Sequence, residues 1–466
     1  MLLSARIKDF VEEFISKDYL PGCSIMINQS NELVYINSFG RRNIKDNLEV
    51  NINTIFPIGC ITKIVTSMLI LALCKKNRIN IDKPLRNLFP NNPMFEADMF
   101  SYVTIKDIIA HRTGIVDNNL LLYINKNETK NDIISRICNE FTIESFRNKY
   151  SYCSTTYVIL GELVKLITNR SYEEYVTNTI FKPMNMIKTS FFDYDKFLEL
   201  TYDNFATPYV KNKHELEEGE IIDTKNYNSS MGIITTIDDL SRLFKELIMR
   251  YSKTKYLSEI IKPLGITDSK LIYPEIVYDF YGLGFNISCY KNNQFIYHDG
   301  NYPGYSSQIT YFPKNKISIA VLTNISNSLF PKILTFYIFD ILCNLSETKW
   351  KHRLELVDNI INKNNLMDIN VNENKNNNLN ILRFVGRYYN DACGYIEITN
   401  KNFTLYVNID DKKFMLTHIK GNEFYTNFKY LNTFLLLTFM ESNELDKVIL
   451  RIKIHNEERE LLFIKE

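Results

Sequence analysis

Cys60 and Lys63 are the two residues of this 466-residue chain whose types and spacing most directly suggest chemistry; they lie in FPIGCITKIV, Phe56–Val65. Three residues apart on a helix, a thiol and an amine share one face. In the first turn of a helix the dipole favours a thiolate, and a neighbouring ammonium favours the same form. A neutral lysine could instead take the thiol proton. The N–H of Cys60 would point out of the helix end, able to donate to an oxyanion. The pattern describes a nucleophile with its activator. Taken alone, so short a motif more often marks a small buried cysteine beside a solvated lysine.

The elements that would position the pair are legible around it. Leu3, Ile7, Phe10, Val11, Phe14 and Ile15 form one stripe of an amphipathic helix. Ser24–Ile27 and Leu33–Asn37 flank a polar turn at Gln29–Asn31, the pattern of a hairpin. A long helical run follows Cys60 to about Lys76, and a short helix ends in a loop at Gly114. Tyr150–Met186 reads as a turn and two helices, with a break at Asn169 and a stop at Pro183. Thr236 is placed to cap a helix beginning near Asp238. Three strand-like segments up to ISIAVLTN then precede an apolar helix at Phe330–Leu345. Beyond the polar stretch DINVNENKNNNLN (Asp368–Asn380), eight short alternating runs predict a small all-β barrel or sandwich.

Composition narrows the function classes. Lys plus Arg number 55 and Asp plus Glu 54, so no net field favours nucleic acid or an anionic membrane, and neither partner is expected. The N-terminus lacks a basic segment followed by an apolar one, and no stretch reaches membrane-span length; a cytoplasmic protein is expected. The eight cysteines are scattered, as reduced thiols are. The six histidines, including His214 in HELEE, show no ligand spacing, so neither metal nor cofactor is expected.

TIFPIGCITKIVTSMLI closely resembles the SxxK segment of serine β-lactamases and penicillin-binding proteins, in the branch of class C β-lactamases, DD-peptidases and esterases. Phe56, Ile58, Gly59 and Lys63 match, and Cys60 stands where the serine belongs. PGCSIMI, IIAHRTGI, YCSTTYVILGELV, FKPMNMIKTSFF, GIITTIDDLSRL, YGLGF and HDGNYPGYSSQITYFPKNKISIAVLTN resemble further motifs of that family in the same order, over about residues 20–345. The tail from FVGRYY looks like the lipocalin-like domains appended to some members.

The resemblance implies an α/β (α+β) fold: a central antiparallel sheet flanked by helices at 1–350, with a helical subdomain at about 75–230. A linker at 351–380 and a lipocalin-like β domain at 381–466 follow. By the same resemblance Cys60 would form an acyl-enzyme. Lys63 and Tyr152 would carry the proton to the leaving group, with His298 nearby. The N–H groups of Cys60 and Asn301 would make the oxyanion hole, and His111 would anchor a loop. Ser154, Asp299 and Gly300 would line the substrate site.

Three departures shape the expected function. A thioester acyl-enzyme is attacked readily by amines relative to water, so Cys60 tilts the expectation towards transfer. Ser154 replaces an asparagine. Asp299 replaces a threonine and would repel a substrate carboxylate, which argues against a β-lactamase role. The expected substrate is a peptide-like or acylated small molecule, including carrier-protein-bound acyl groups, with a place in secondary-metabolite biosynthesis. The alternative is a non-catalytic binding or scaffold protein that retains the fold.

Overall fold

Unbroken apolar runs, rather than alternating ones, mark the strands at the middle of the principal sheet. In this computed structural model, which describes residues 3–17, 19–116, 128–199, 202–212, 215–252, 259–267, 273–346, 348–353, 381–390, 394–409, 412–428, 433–442, 447–454 and 460–466, that sheet has nine antiparallel strands. They are β1 (Gly22–Gln29), β2 (Glu32–Asn43), β3 (Leu48–Glu49), β4 (Gly265–Ile266), β5 (Ile276–Tyr281), β6 (Asn286–Tyr290), β7 (Asn293–Tyr302), β8 (Tyr305–Phe312) and β9 (Ile317–Thr323), in the order β3-β2-β1-β9-β8-β7-β6-β5-β4. Both β8 and β9 are buried at every residue, as strands covered on both faces must be.

Turn chemistry fixes the registers. Ser30 and Asn31, at φ 53° and 71°, make a tight turn with two left-handed residues between β1 and β2; Lys291 and Asn292, at 44° and 60°, do the same between β6 and β7. The first hairpin is longer than its sequence suggests, because the N-terminal strand pairs on both sides and is held along its whole length.

Of five longer helices, α1 (Leu3–Ser16), α2 (Thr62–Lys76), α3 (Tyr157–Thr168), α4 (Ile237–Ser252) and α5 (Phe330–Leu342), the first and the last two pack on the sheet, while α2 and α3 pack on each other. The stripe on α1 meets α5: Phe10 stacks on Tyr337 at 4.2 Å, and Phe14 meets Phe330 edge-on at 5.3 Å. Asn169 ends α3 in the left-handed conformation, and Thr236 Oγ1 accepts the Asp239 N–H at 3.1 Å to cap α4. Eleven of the 15 residues of α2 are buried, so this helix is wrapped by protein rather than lying on the surface.

By internal contacts the chain forms two compact units, Met1–Asp117 with Thr129–Lys351, and Asn118–Glu128 with His352–Glu466. The second unit holds another nine-stranded antiparallel sheet: β10 (Gly386–Asn390), β11 (Gly394–Lys401), β12 (Thr404–Ile409), β13 (Lys412–Met415), β14 (Thr417–Lys420), β15 (Glu423–Phe428), β16 (Thr433–Ser442), β17 (Lys447–Ile454) and β18 (Glu460–Lys465). Its order is β13-β12-β11-β10-β18-β17-β16-β15-β14. The two end strands are joined through Leu416 alone, so the sheet curls into a nearly closed barrel. Tyr388, Ile398, Val407, Leu437, Leu450 and Phe463 fill its core. Residues 354–380, which include most of the expected linker, His214 and Cys393 lie outside the described residues. Among those described, the other seven cysteines are free and no helix is long and apolar enough to cross a membrane.

Candidate active site

Gly59–Ile61 forms a 3₁₀ turn that runs directly into α2, so Cys60 lies in a first helical turn, where backbone N–H groups lack intrahelical acceptors. Gly59 has φ 51°, a left-handed conformation that only glycine adopts cheaply. A Cβ there would also fall 2.3 Å from the Asn301 carbonyl oxygen and 3.0 Å from the Asn301 nitrogen. Gly300 makes the reciprocal approach: its Cβ would meet the Ile58 carbonyl oxygen at 2.3 Å. Two glycines thus let the end of β7 dock, backbone to backbone, on the turn carrying the thiol.

That docking aims the strand's polar groups. The Cys60 sulfur lies 3.9 Å from the Asn301 carbonyl oxygen. Within a strand the N–H and C=O of one residue point to the same side, so the Asn301 N–H faces the turn as well. The expected pair of oxyanion donors is therefore brought to one edge. Cys60 is partly exposed, so an acyl group can reach its sulfur.

Lys63 lies one turn into α2 and is fully buried. Its Nζ donates to Ser154 Oγ at 3.1 Å and to the Ser230 carbonyl oxygen at 3.2 Å. It also sits 4.9 Å from the ring centroid of Tyr152 and 5.7 Å from that of Tyr157. Among the described residues no carboxylate pairs with it. The ammonium is held by neutral oxygens and aromatic faces, which leaves its charge uncancelled towards the thiol.

The Tyr152 phenol lies close enough to the Cys60 thiol to feel its charge. Burial pushes this phenol well above its usual pKa; the charge of a Cys60 thiolate adds to the effect. Tyr152 is therefore a protonated donor at neutral pH. Cys60, Lys63 and Tyr152 form one cluster.

His298 is buried beside them, its ring centroid 6.4 Å from that of Tyr152. Its Nδ1–H donates to the Asp299 carbonyl oxygen at 2.7 Å, so Nε2 accepts from the Tyr281 hydroxyl at 3.3 Å. Desolvation first, then the charge of Lys63, lowers its pKa to about 4. The imidazole is neutral, and both nitrogens are engaged. His298, expected near the leaving group, is in this structure a buried, neutral imidazole beside the Tyr152 ring.

Two expected substrate contacts are placed differently. Ser154 is buried and spends its hydroxyl on Lys63. Asp299 alternates with His298 along β7, so its carboxylate lies on the opposite face of the sheet. There it accepts from Gln308 Nε2 at 2.6 Å and lies 3.8 Å from Lys332 Nζ of α5. Ser307, next to Gln308, points the other way, to the Ile58 carbonyl. Repulsion of a substrate carboxylate by Asp299, expected from sequence, does not arise from that position. Gly300 serves in docking rather than as a ligand group.

Sequence reasoning missed Ser230, Tyr157 and Tyr281. A backbone carbonyl leaves no side-chain signature, and both tyrosines read as core aromatics. Among the described residues no group of three or more His, Cys, Asp or Glu could hold a metal ion.

Comparison with known proteins agrees with this geometry. A family described as Beta-lactamase matches residues 7–340. Protein flp of Staphylococcus aureus (strain N315) is 25% identical over 336 residues, 71% of this chain and 64% of that protein. The match therefore spans less than two thirds of that relative's length. The octameric penicillin-binding protein homologue from Pyrococcus abyssi is 20% identical, covers 99% of both chains and superposes with a TM-score of 0.63. The D-amino acid amidase from Ochrobactrum anthropi SV3 is 17% identical, covers 73% of this chain and 98% of its own, and has a TM-score of 0.61.

Proposed function

Because the chain belongs to the beta-lactamase family, we propose that it is an acyl-transfer enzyme in which Cys60 replaces the nucleophilic serine and carries the acyl group. The single observation that supports this most is the fully buried Lys63 amine, one helical turn from Cys60 and 4.9 Å from the centre of the Tyr152 ring. The reading places the chain with the class C β-lactamase, DD-peptidase and esterase branch.

The thiolate sulfur attacks the carbonyl carbon of the substrate and a C–S bond forms. The carbonyl π pair moves to oxygen, which the N–H groups of Cys60 and Asn301 receive. Removing one such donor typically costs about 3–4 kcal/mol of barrier. As the tetrahedral species collapses, the C–N or C–O bond breaks and the leaving group takes the Tyr152 proton. An incoming amine or water then attacks the thioester, returns a proton to Tyr152 and releases the thiolate. Thioesters favour the amine, so transfer is the expected outcome on a peptide-like, acylated or carrier-bound substrate. An amide substrate is the class named for the Ochrobactrum amidase. A role in secondary-metabolite biosynthesis follows from such substrates. Free cysteines suit a reducing compartment, and the cytoplasm is the proposed location.

Intact-mass spectrometry with an activated phenylacetyl thioester tests the reading. One acyl adduct is expected on the wild-type chain and none on Cys60→Ala. An unmodified wild-type chain, with Cys60→Ser acylated, overturns the thiol as nucleophile.

A further inference from the structure

Tyr152 is bracketed by one residue. The N–H of Ser151 donates to the His111 carbonyl oxygen at 2.9 Å, and the N–H of Cys153 donates to His111 Nδ1 at 3.1 Å. The chain on each side of Tyr152 is thus pinned to His111, once through its backbone and once through its ring. The ring itself lies 4.4 Å, centroid to centroid, from Tyr152. Tyr157 stacks on it at 5.2 Å, and Tyr281 meets it edge-on at 5.0 Å. His111 is fully buried and sits at φ 53°, in the left-handed region.

We propose that His111 is a positioning residue for acyl transfer, a clamp that sets the Tyr152 hydroxyl against the Cys60 sulfur. The inference rests on the Cys60–Tyr152 reading above. The clamp requires a particular tautomer. To accept from Cys153, Nδ1 must carry a lone pair, so the proton resides on Nε2, which has no hydrogen-bond partner among the described residues. Burial, then the charge of Lys63, holds the imidazole well below its usual pKa, in the neutral form the clamp needs. A buried Nε2–H left without an acceptor costs stability. The cost is retained where the other nitrogen fixes the proton donor of the reaction.

The experiment follows Cys60 acylation by the phenylacetyl thioester in wild type, His111→Ala, His111→Asn, Tyr152→Phe and the double variant Tyr152→Phe/His111→Ala. Displacing a catalytic group by about 1 Å can cost about 10²-fold, so His111→Ala is expected to slow acylation by about that factor with substrate KM little changed. Asparagine tolerates the left-handed backbone and offers a carbonyl oxygen to the Cys153 N–H, so His111→Asn should recover most of the rate. If His111 acts through Tyr152, its removal adds nothing once the phenol is gone. A wild-type rate in His111→Ala, or the same loss with and without the phenol, overturns the clamp. Nitrogen-15 NMR of the wild-type imidazole decides independently should His111→Ala fail to fold. An Nε2–H tautomer at neutral pH is expected, and Nδ1–H overturns the proposal. Absence of any acyl adduct on wild type would instead strike at the Cys60 reading and leave the tautomer measurable.

Discussion

At the scale of single residues, the decisive group is a buried amine with no acidic partner among the described residues. Lys63 rests on two neutral oxygens and two aromatic faces, an arrangement that costs stability unless its charge serves something else. Replacing a buried charge by an apolar group of similar shape is often neutral or stabilising. Lys63→Met should therefore melt at or above the wild-type temperature in a thermal scan. Its acylation at Cys60 should fall by about 10²–10⁴, the range of a lost acid–base partner. A large drop in melting temperature would make Lys63 a structural residue. That Cys60 and Lys63 share a helical turn was legible from their spacing, and the position of Tyr152 from the family resemblance. Asp299 and Ser154 were not. Which face of a strand a side chain occupies, and which neighbour claims a hydroxyl, depend on partners distant in sequence, such as Lys332 for Asp299 and Lys63 for Ser154.

At the scale of elements, the site is a joint between a strand end and a helical turn. Its closeness depends on Gly59 and Gly300 having no side chains. Gly59→Ala forces a left-handed conformation costing about 1–2 kcal/mol, and its methyl must displace β7 from the turn. Acylation of Cys60 is expected to drop far more than stability, because the Asn301 N–H moves out of reach. Parallel melting and acyl-adduct measurements check this, and an unaffected acylation rate refutes the oxyanion role of the joint. The strands, the Thr236 cap and the Asn169 break were readable from local patterns. The joint was not, since glycine alone does not announce which backbone will approach it.

At the scale of the whole molecule, buried neutral histidines link folding to acidity. His298 titrates at about 4 in the fold against an ordinary 6.5, and His111 is lowered as well. Between those values the unfolded chain binds more protons than the native one, so stability rises with pH. Lowering the pH from about 6.5 towards 4 should therefore lower the melting temperature, and His298→Asn should flatten that dependence. Equal slopes for the two proteins would show that His298 is solvated.

In the C-terminal unit, the sheet curls until its two short end strands, four residues each, are separated in the chain by Leu416 alone. An open margin of that length would be a template for another chain to extend the ladder, the opening step of fibre growth. Curvature here acts as insurance against self-templating, alongside the lysines that Lys412–Met415 and Thr417–Lys420 carry on the two borders.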